Sequence, residues 1–188
     1  MTSLKRNQNN WKLIGTLFLL SVVFTISGCK KYLDINVDPN RPTEAPINGL
    51  LAATTQNTGL NVFRVANAGP NYYVQYFASP NASSPTDIYD RVDFSGLWRS
   101  LYDNMTDIYD LEQLSIRLNS SAHLGMAKVM MALNLSMTTN LWGSVPFSEA
   151  FKGDNLNPKF DDAQQLHTTC INLLDEGIAE LRKVPTVA

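Results

Sequence analysis

Two cysteines and two histidines in 188 residues leave little with which to build a metal or nucleophilic centre. His123 and His167 stand in different segments, with no cysteine or carboxylate at metal-ligand spacing beside either. Neither G-x-G-x-x-G nor a Walker pattern occurs, so no phosphate loop is encoded. Ser144 follows Gly143 but lacks the nucleophile-elbow pattern and its strand. Asp161 and Asp162 are adjacent and read as helix caps rather than an acid–base pair. Nothing points to an enzyme, a cofactor or a metal. Basic runs are also missing: 15 Lys and Arg against 17 Asp and Glu give a net charge of −2, which argues against nucleic acid as a partner. Strand-like alternation of useful length is absent, and no clean repeat of thirty-four residues occurs. The longest apolar run, from Leu13 to Ile26, is about fourteen residues, short of the roughly twenty that span a bilayer.

That run is nevertheless the most informative stretch. Lys5, Arg6 and Lys12 precede it, and Ile26-Ser27-Gly28-Cys29 ends it. A basic region, a short apolar region and small residues before a cleavage point read as a secretory signal. The cysteine directly after the small pair is the pattern of a bacterial lipobox, which makes Cys29 the expected lipidation site and residues 1–28 a lipoprotein signal peptide. A plain signal peptide or a membrane anchor is the alternative. Cleavage before Cys29 would remove 28 of 188 residues and three basic groups, leaving 160 residues with 12 basic and 17 acidic side chains. Membrane attachment would then rest on acyl chains, each buried methylene contributing about 0.8 kcal/mol. Cys170 would have no intramolecular partner, and reads as a small buried hydrophobe rather than a reactive thiol.

Residues 29–45 are rich in Asp, Asn and Pro and read as an extended leader. Thr43 is a cap candidate for a first helix, with Pro46 in its first turn, carrying Ile47, Leu50, Leu51, Thr54 and Thr55 at helical spacing and continuing through Leu60, Val62, Phe63 and Val65. Gly69-Pro70 breaks it. A short aromatic helix over Tyr72–Phe77 and a loop over 79–85 follow. From Ser95 to about Leu118, Leu97, Leu101, Met105, Ile108, Leu111, Leu114 and Leu118 recur at three- and four-residue steps. The turn at Asn119-Ser120-Ser121 is short enough for an antiparallel helical hairpin. The next helix, Ala122 to Leu141, is apolar nearly all round and must lie between neighbours. Gly143 and Pro146 stop it. Asp161 or Asp162 caps the last helix, Gln164 completing a capping box with Asp161, and Leu166, Cys170, Leu173, Leu174, Ile178 and Leu181 mark its buried face. The fold expected is all-α: antiparallel helical hairpins of tetratricopeptide-like type with irregular loops, filling residues 46–188.

Aromatic residues gather in and beside the loops. Sugar rings present flat C–H faces that stack on such side chains, while Asn, Asp and Arg bond their hydroxyls. The candidates for ligand binding are Tyr72, Tyr73, Tyr89 and Trp98, with Asn81, Asp87 and Arg91 as polar partners. Packing between helices is the competing explanation for the rings.

Taken together, these residues carry a family resemblance. The run Cys29-Lys30-Lys31-Tyr32-Leu33-Asp34-Ile35-Asn36-Val37-Asp38-Pro39-Asn40 resembles the mature start of SusD/RagB-like outer-membrane lipoproteins. Thr139-Asn140-Leu141-Trp142-Gly143-Ser144-Val145-Pro146-Phe147-Ser148-Glu149-Ala150 resembles their recurring segment of Tyr/Trp-Gly-Asp-Val-Pro-Tyr/Phe followed by Glu-Ala, with Ser144 in place of the usual Asp. Asp161-Asp162 and the segment Leu173-Leu174-Asp175-Glu176-Gly177-Ile178 fit the helix that follows in the family. The resemblance implies a non-catalytic, lipid-anchored protein of the outer membrane and cell surface. Such proteins bind oligosaccharides or other nutrients and deliver them to a SusC-like, TonB-dependent β-barrel transporter. Family members are several hundred residues long, so the chain looks like an amino-terminal part truncated at its carboxyl end. An alternative role is a helical interaction module that docks the transporter without a ligand of its own. Lipid attachment requires the Cys29 thiol. The Cys29→Ser variant is therefore expected to leave the detergent phase on phase partitioning; retention there would make the apolar segment itself the anchor.

Overall fold

The computed structural model describes residues 45–153 and 155–183, which form one compact helical unit. The signal segment, Cys29 and most of the leader lie outside the described residues. Helix α1 spans Ile47–Ala68, α2 is the short Pro70–Tyr73, α3 spans Ser95–Arg117, α4 spans Ser121–Trp142 and α5 spans Ala163–Leu181. Among the described residues the only β pairing is an isolated antiparallel bridge between Val145 and Asp161. The helices α3 and α4 form the expected hairpin, and α5 returns along α4 to form a second. The architecture is all-α and of the tetratricopeptide-like kind.

Helix α4 is the centre, in contact with α1, α3 and α5. This explains its apolar residues on every side: Ala127, Met130, Met131, Ala132 and Leu135 are all buried. The buried stripe of α3, Leu97, Leu101, Met105, Ile108, Leu111 and Leu114, follows the spacing read from the sequence, but Leu118, at the C-cap where the chain turns, is exposed. Lys128 of α4 ties three helices together, 3.0 Å from Glu112 of α3 and 2.6 Å from Glu176 of α5. Burial alone would lower the Lys128 pKa, but its bonds to Glu176 and Glu112 prevail and hold it above the ordinary value.

The core contains a cluster of side-chain amides where α1, α3 and α4 meet. Asn61, Asn104 and Asn134 are 0 %, 2 % and 0 % exposed. Asn134 Nδ2 donates to Thr58 Oγ1 at 2.9 Å and to the Met130 carbonyl at 2.8 Å. Its Oδ1 accepts from Asn61 at 3.3 Å and from Asn104 at 3.2 Å. Asn104 also donates to Thr58 Oγ1 at 3.0 Å, and the Ser100 hydroxyl donates to Asn61 Oδ1 at 2.6 Å. Buried amides without such partners would each cost about 1–3 kcal/mol.

Several expectations are corrected by this geometry. The first concerns α1, which begins at Ile47 with Pro46 at the N-cap position and no side-chain cap; Thr43 lies outside the described residues. Beyond its first turns, its buried face is Thr54, Thr58 and Asn61, whereas Leu60, Val62 and Phe63 are exposed. The amides on α3 and α4 demand polar partners and turn that stretch of α1 polar side inward.

The second concerns α5, whose buried line is Leu166, Cys170 and Gly177, leaving Leu174 and Ile178 exposed. Glycines set this rotation: a Cβ on Gly125 would lie 2.9 Å from the Gly177 carbonyl oxygen, and one on Gly177 would lie 3.0 Å from Val129. The third concerns the two aspartates. Asp162 alone caps α5, accepting from the N–H groups of Gln164 and Gln165 at 2.9 and 3.2 Å. Asp161 instead reaches back to the segment after α4, accepting from the N–H groups of Phe147 and Ser148 at 2.9 and 2.7 Å and from the Ser148 hydroxyl at 2.7 Å. The aromatic helix is also shorter than expected: it ends at Tyr73, and Gln75 adopts φ 60°. His123, which as a residue opening a helix reads from the sequence as solvent-facing, is part-buried and bonds Ser120 Oγ at 2.7 Å and Asn48 Oδ1 at 2.8 Å.

Two outcomes follow from this arrangement. Alanine favours a helix over glycine by about 1 kcal/mol, yet Gly125→Ala is expected to lower the melting temperature, because its Cβ would force the α4 and α5 backbones apart. Thermal unfolding followed by circular dichroism checks the sign. For Asp161, burial would raise the carboxyl pKa, but the N–H and hydroxyl of Ser148, the Phe147 N–H and the Lys159 charge hold it below the ordinary carboxylate value. A depressed folded-state pKa adds stability above the unfolded value and loses it as pH falls through the folded one. Stability should therefore decline on acidification below the normal carboxylate range. Asp161→Asn should be less stable at neutral pH and show a flatter acid limb in melting temperature against pH.

Candidate functional site

The concave surface of interest forms where α3 begins and α4 ends. Between α2 and α3 the chain runs from Val74 to Phe94 without regular structure, braced locally. The Ser79 N–H donates to Asp87 Oδ2 at 2.7 Å, and the Asp87 N–H donates to the Ser84 carbonyl at 3.0 Å. Asp87 is thus a loop brace. Asn81 is drawn into the same loop, its N–H donating to Ser79 Oγ at 3.2 Å. Tyr89 adopts φ 57°, a region that a bulky residue enters only when its surroundings hold it there. Two contacts do so: its ring stacks on Tyr73 at 5.9 Å and 18°, and its hydroxyl donates to the Tyr73 carbonyl at 2.8 Å.

The loop delivers Arg91, Val92, Asp93 and Phe94 to the start of α3. Asp93 accepts from the Ser95 N–H at 2.8 Å and from its hydroxyl at 3.1 Å. The Ser95 N–H, then its hydroxyl, lower the Asp93 pKa, with a smaller contribution from Arg91. This carboxylate stays charged at the rim. One turn on, the Trp98 ring lies 4.7 Å from Tyr102 and meets Trp142, at the end of α4, edge-on at 5.1 Å and 85°. The row continues through Tyr102, Phe151 and Tyr109, with centroid separations of 6.2 and 6.1 Å. Tyr102 is the row's structural post: its hydroxyl donates to the Pro146 carbonyl at 2.8 Å, and burial, then the Asp161 charge, push its pKa far above the usual phenol value.

Two hollows open beside these rings. One, about 540 Å³, is lined by Arg91, Asp93, Phe94, Ser95, Trp98 and Trp142. The other, a slot of about 180 Å³, is bounded by Tyr73, Phe94, Leu97, Asn140 and Trp142. Phe94 and Trp142 are common to both. The structure thus brings Tyr73 and Trp98 to neighbouring hollows and places Tyr89 behind Tyr73 as its support. Tyr72 lines neither hollow and meets Phe77 edge-on at 5.8 Å. Of the polar candidates, Arg91 alone reaches a hollow. Phe94 was not singled out by the sequence; its one local signal is its position immediately before α3. Trp142 was visible as an aromatic beside a loop, but only the packing of α3 on α4 sets it against Trp98. Aromatic faces flanked by one guanidinium and one carboxylate can stack on a C–H face and bond hydroxyls of either polarity. Among the described residues no group of three His, Cys, Asp or Glu could hold a metal, and no helix is long and apolar enough to cross a membrane.

A SusD-like family profile, described as starch-binding and associating with the outer membrane, matches residues 39–188. Among solved structures, a SusD/RagB family protein from Bacteroides thetaiotaomicron, determined at 1.75 Å resolution, superposes with a TM-score of 0.62 at 20 % identity. The match covers 74 % of this chain and 31 % of that one, so the chain spans about a third of that protein. At that identity the likeness is one of fold. No curated protein matches. The residues matched by the profile make up most of the sequence, and the chain belongs to the SusD-like family of proteins described as starch-binding and associating with the outer membrane.

Proposed function

We propose that the protein is a non-catalytic glycan-binding lipoprotein, held at the outer membrane by lipid on Cys29. In this reading it faces the cell surface and passes oligosaccharides to a SusC-like, TonB-dependent β-barrel transporter. The observation that carries the binding role is the hollow beside the Trp98–Trp142 pair, lined also by Phe94, Arg91 and Asp93. Its rings offer stacking faces, and its charged pair offers one donor-rich and one acceptor-only group for adjacent sugar hydroxyls. Tyr73 extends the apolar surface through the neighbouring slot, with Tyr89 fixing its position and Tyr72 beside it on α2. The transporter and the anchor are supported by the family and by the lipobox around Cys29.

The test is calorimetric titration of the full chain in detergent with oligosaccharides from α-glucans, β-glucans and fructans. At least one class is expected to bind. Trp98→Leu keeps an apolar side chain against Tyr102 but removes the stacking face. It should weaken that binding about tenfold, equivalent to about 1.4 kcal/mol, with a melting temperature close to the parent's. An equal loss of stability with unchanged affinity per folded molecule would assign Trp98 to the core. Flat titrations alongside co-purification with a large barrel would favour the docking role.

A further inference from the structure

A second groove lies on the other side of Phe94, between α1 and α3, with a volume of about 830 Å³. That is within the roughly 300–1,000 Å³ of small-molecule sites. Its two walls are helical faces written at helical spacing: Asn57, Arg64 and Asn67 on α1, and Gly96, Arg99, Ser100 and Asp103 on α3. Most of the polar groups here have bonding capacity to spare. Arg64 Nη1 bonds the Ser100 hydroxyl and, at 3.4 Å, Asn61 Oδ1, which fixes the guanidinium across the two helices. Its Nε and Nη2 have no partner among the described residues. The same holds for the Arg99 guanidinium, the Asp103 carboxylate and the Asn57 amide, while Asn67 uses one amide proton on the Phe63 carbonyl at 2.8 Å.

The balance of charge selects the ligand. Arg64 and Arg99 face Asp93 and Asp103, so the groove is no anion trap, and its amides both donate and accept. Phe63, 64 % exposed, and Phe94 supply apolar faces at its margins. Adjacent donors, acceptors and apolar faces match a neutral polyhydroxylated chain. Asp93 and Phe94 are shared with the Trp98–Trp142 hollow, so the two concavities meet along one rib.

We propose that the α1–α3 groove is a second sugar subsite, through which a glycan seated against Trp98 and Trp142 continues across the Asp93–Phe94 rib. The proposal rests on the glycan-binding reading above. Gly96 provides the test, because a Cβ there meets nothing within 4 Å and a longer side chain would occupy the groove without displacing protein. The full chain is titrated with matched two-unit and seven-unit oligosaccharides (maltose and maltoheptaose, and the corresponding β-glucan and fructan pairs).

The seven-unit member of the binding class should bind at least tenfold more tightly than the two-unit member. Gly96→Met should abolish that gain while leaving the two-unit affinity unchanged and without lowering the melting temperature. Arg99→Ala, which removes a side chain without a protein partner among the described residues, should weaken only the seven-unit ligand, by about threefold. Equal affinities for short and long ligands, or a length gain that survives both substitutions, would overturn the second subsite and leave the first intact. No binding by any oligosaccharide would overturn both.

Discussion

The junction of α1, α3 and α4 depends on satisfying three buried amides at once. Asn61, Asn104 and Asn134 come from three different helices; Asn61 and Asn104 both donate to Asn134, and Asn104 and Asn134 both donate to Thr58. Each such bond is worth only about 1 kcal/mol net, but an amide left alone in this interior costs more than it could return elsewhere. The cluster therefore acts chiefly on register. A rotation of α1 that placed Leu60 or Phe63 inward would strand Asn104 and Asn134 together. Leucines at these sites would have tolerated several rotations; amides with fixed donors and acceptors tolerate few. One orphan persists, the Oδ1 of Asn104, at the edge where α1 and α3 begin to diverge around the groove.

This explains how much of the fold could be read in advance. Helices α3 and α4 were legible because their apolar residues recur at helical spacing, and because α4, apolar all round, could only be central. The facing of the middle of α1 was legible only in part: Thr54 continues the line of Ile47, Leu50 and Leu51, whereas Thr58 and Asn61 look like solvent positions until their partners on two other helices are known. Helix α5 was legible as an element but not in its rotation. Hydrophobic residues vote for Leu174 and Ile178 as interior, whereas closest approach is decided by two glycines that carry no hydropathy signal. Asp161 and Asp162 are chemically alike, and only the course of the chain after α4 separates the cap from the clamp.

The candidate site divides in the same way. Trp98 and Tyr73 could be named from the sequence because aromatic residues gather in and beside the loops. That Phe94 is the wall they share follows from the α2–α3 connection folding back to meet the start of α3, which no local pattern encodes. Tyr89 illustrates the limit: its ring matters through Tyr73, by a stack and a hydrogen bond that hold an unfavourable backbone angle.

The Asp161 clamp has a mechanical meaning. Helix α4 leads to Trp142, then to the 145–148 segment, which Asp161 grips one residue before the α5 cap; α5 then lies back on α4 through Gly125 and Gly177. The chain closes a ring in which every junction is either covalent, hydrogen-bonded or at backbone contact. Tension applied to the carboxyl end of α5 is borne along this ring as shear between α4 and α5. It does not peel Trp142 away from Trp98, so the aromatic row is insulated from load on the helix that follows it.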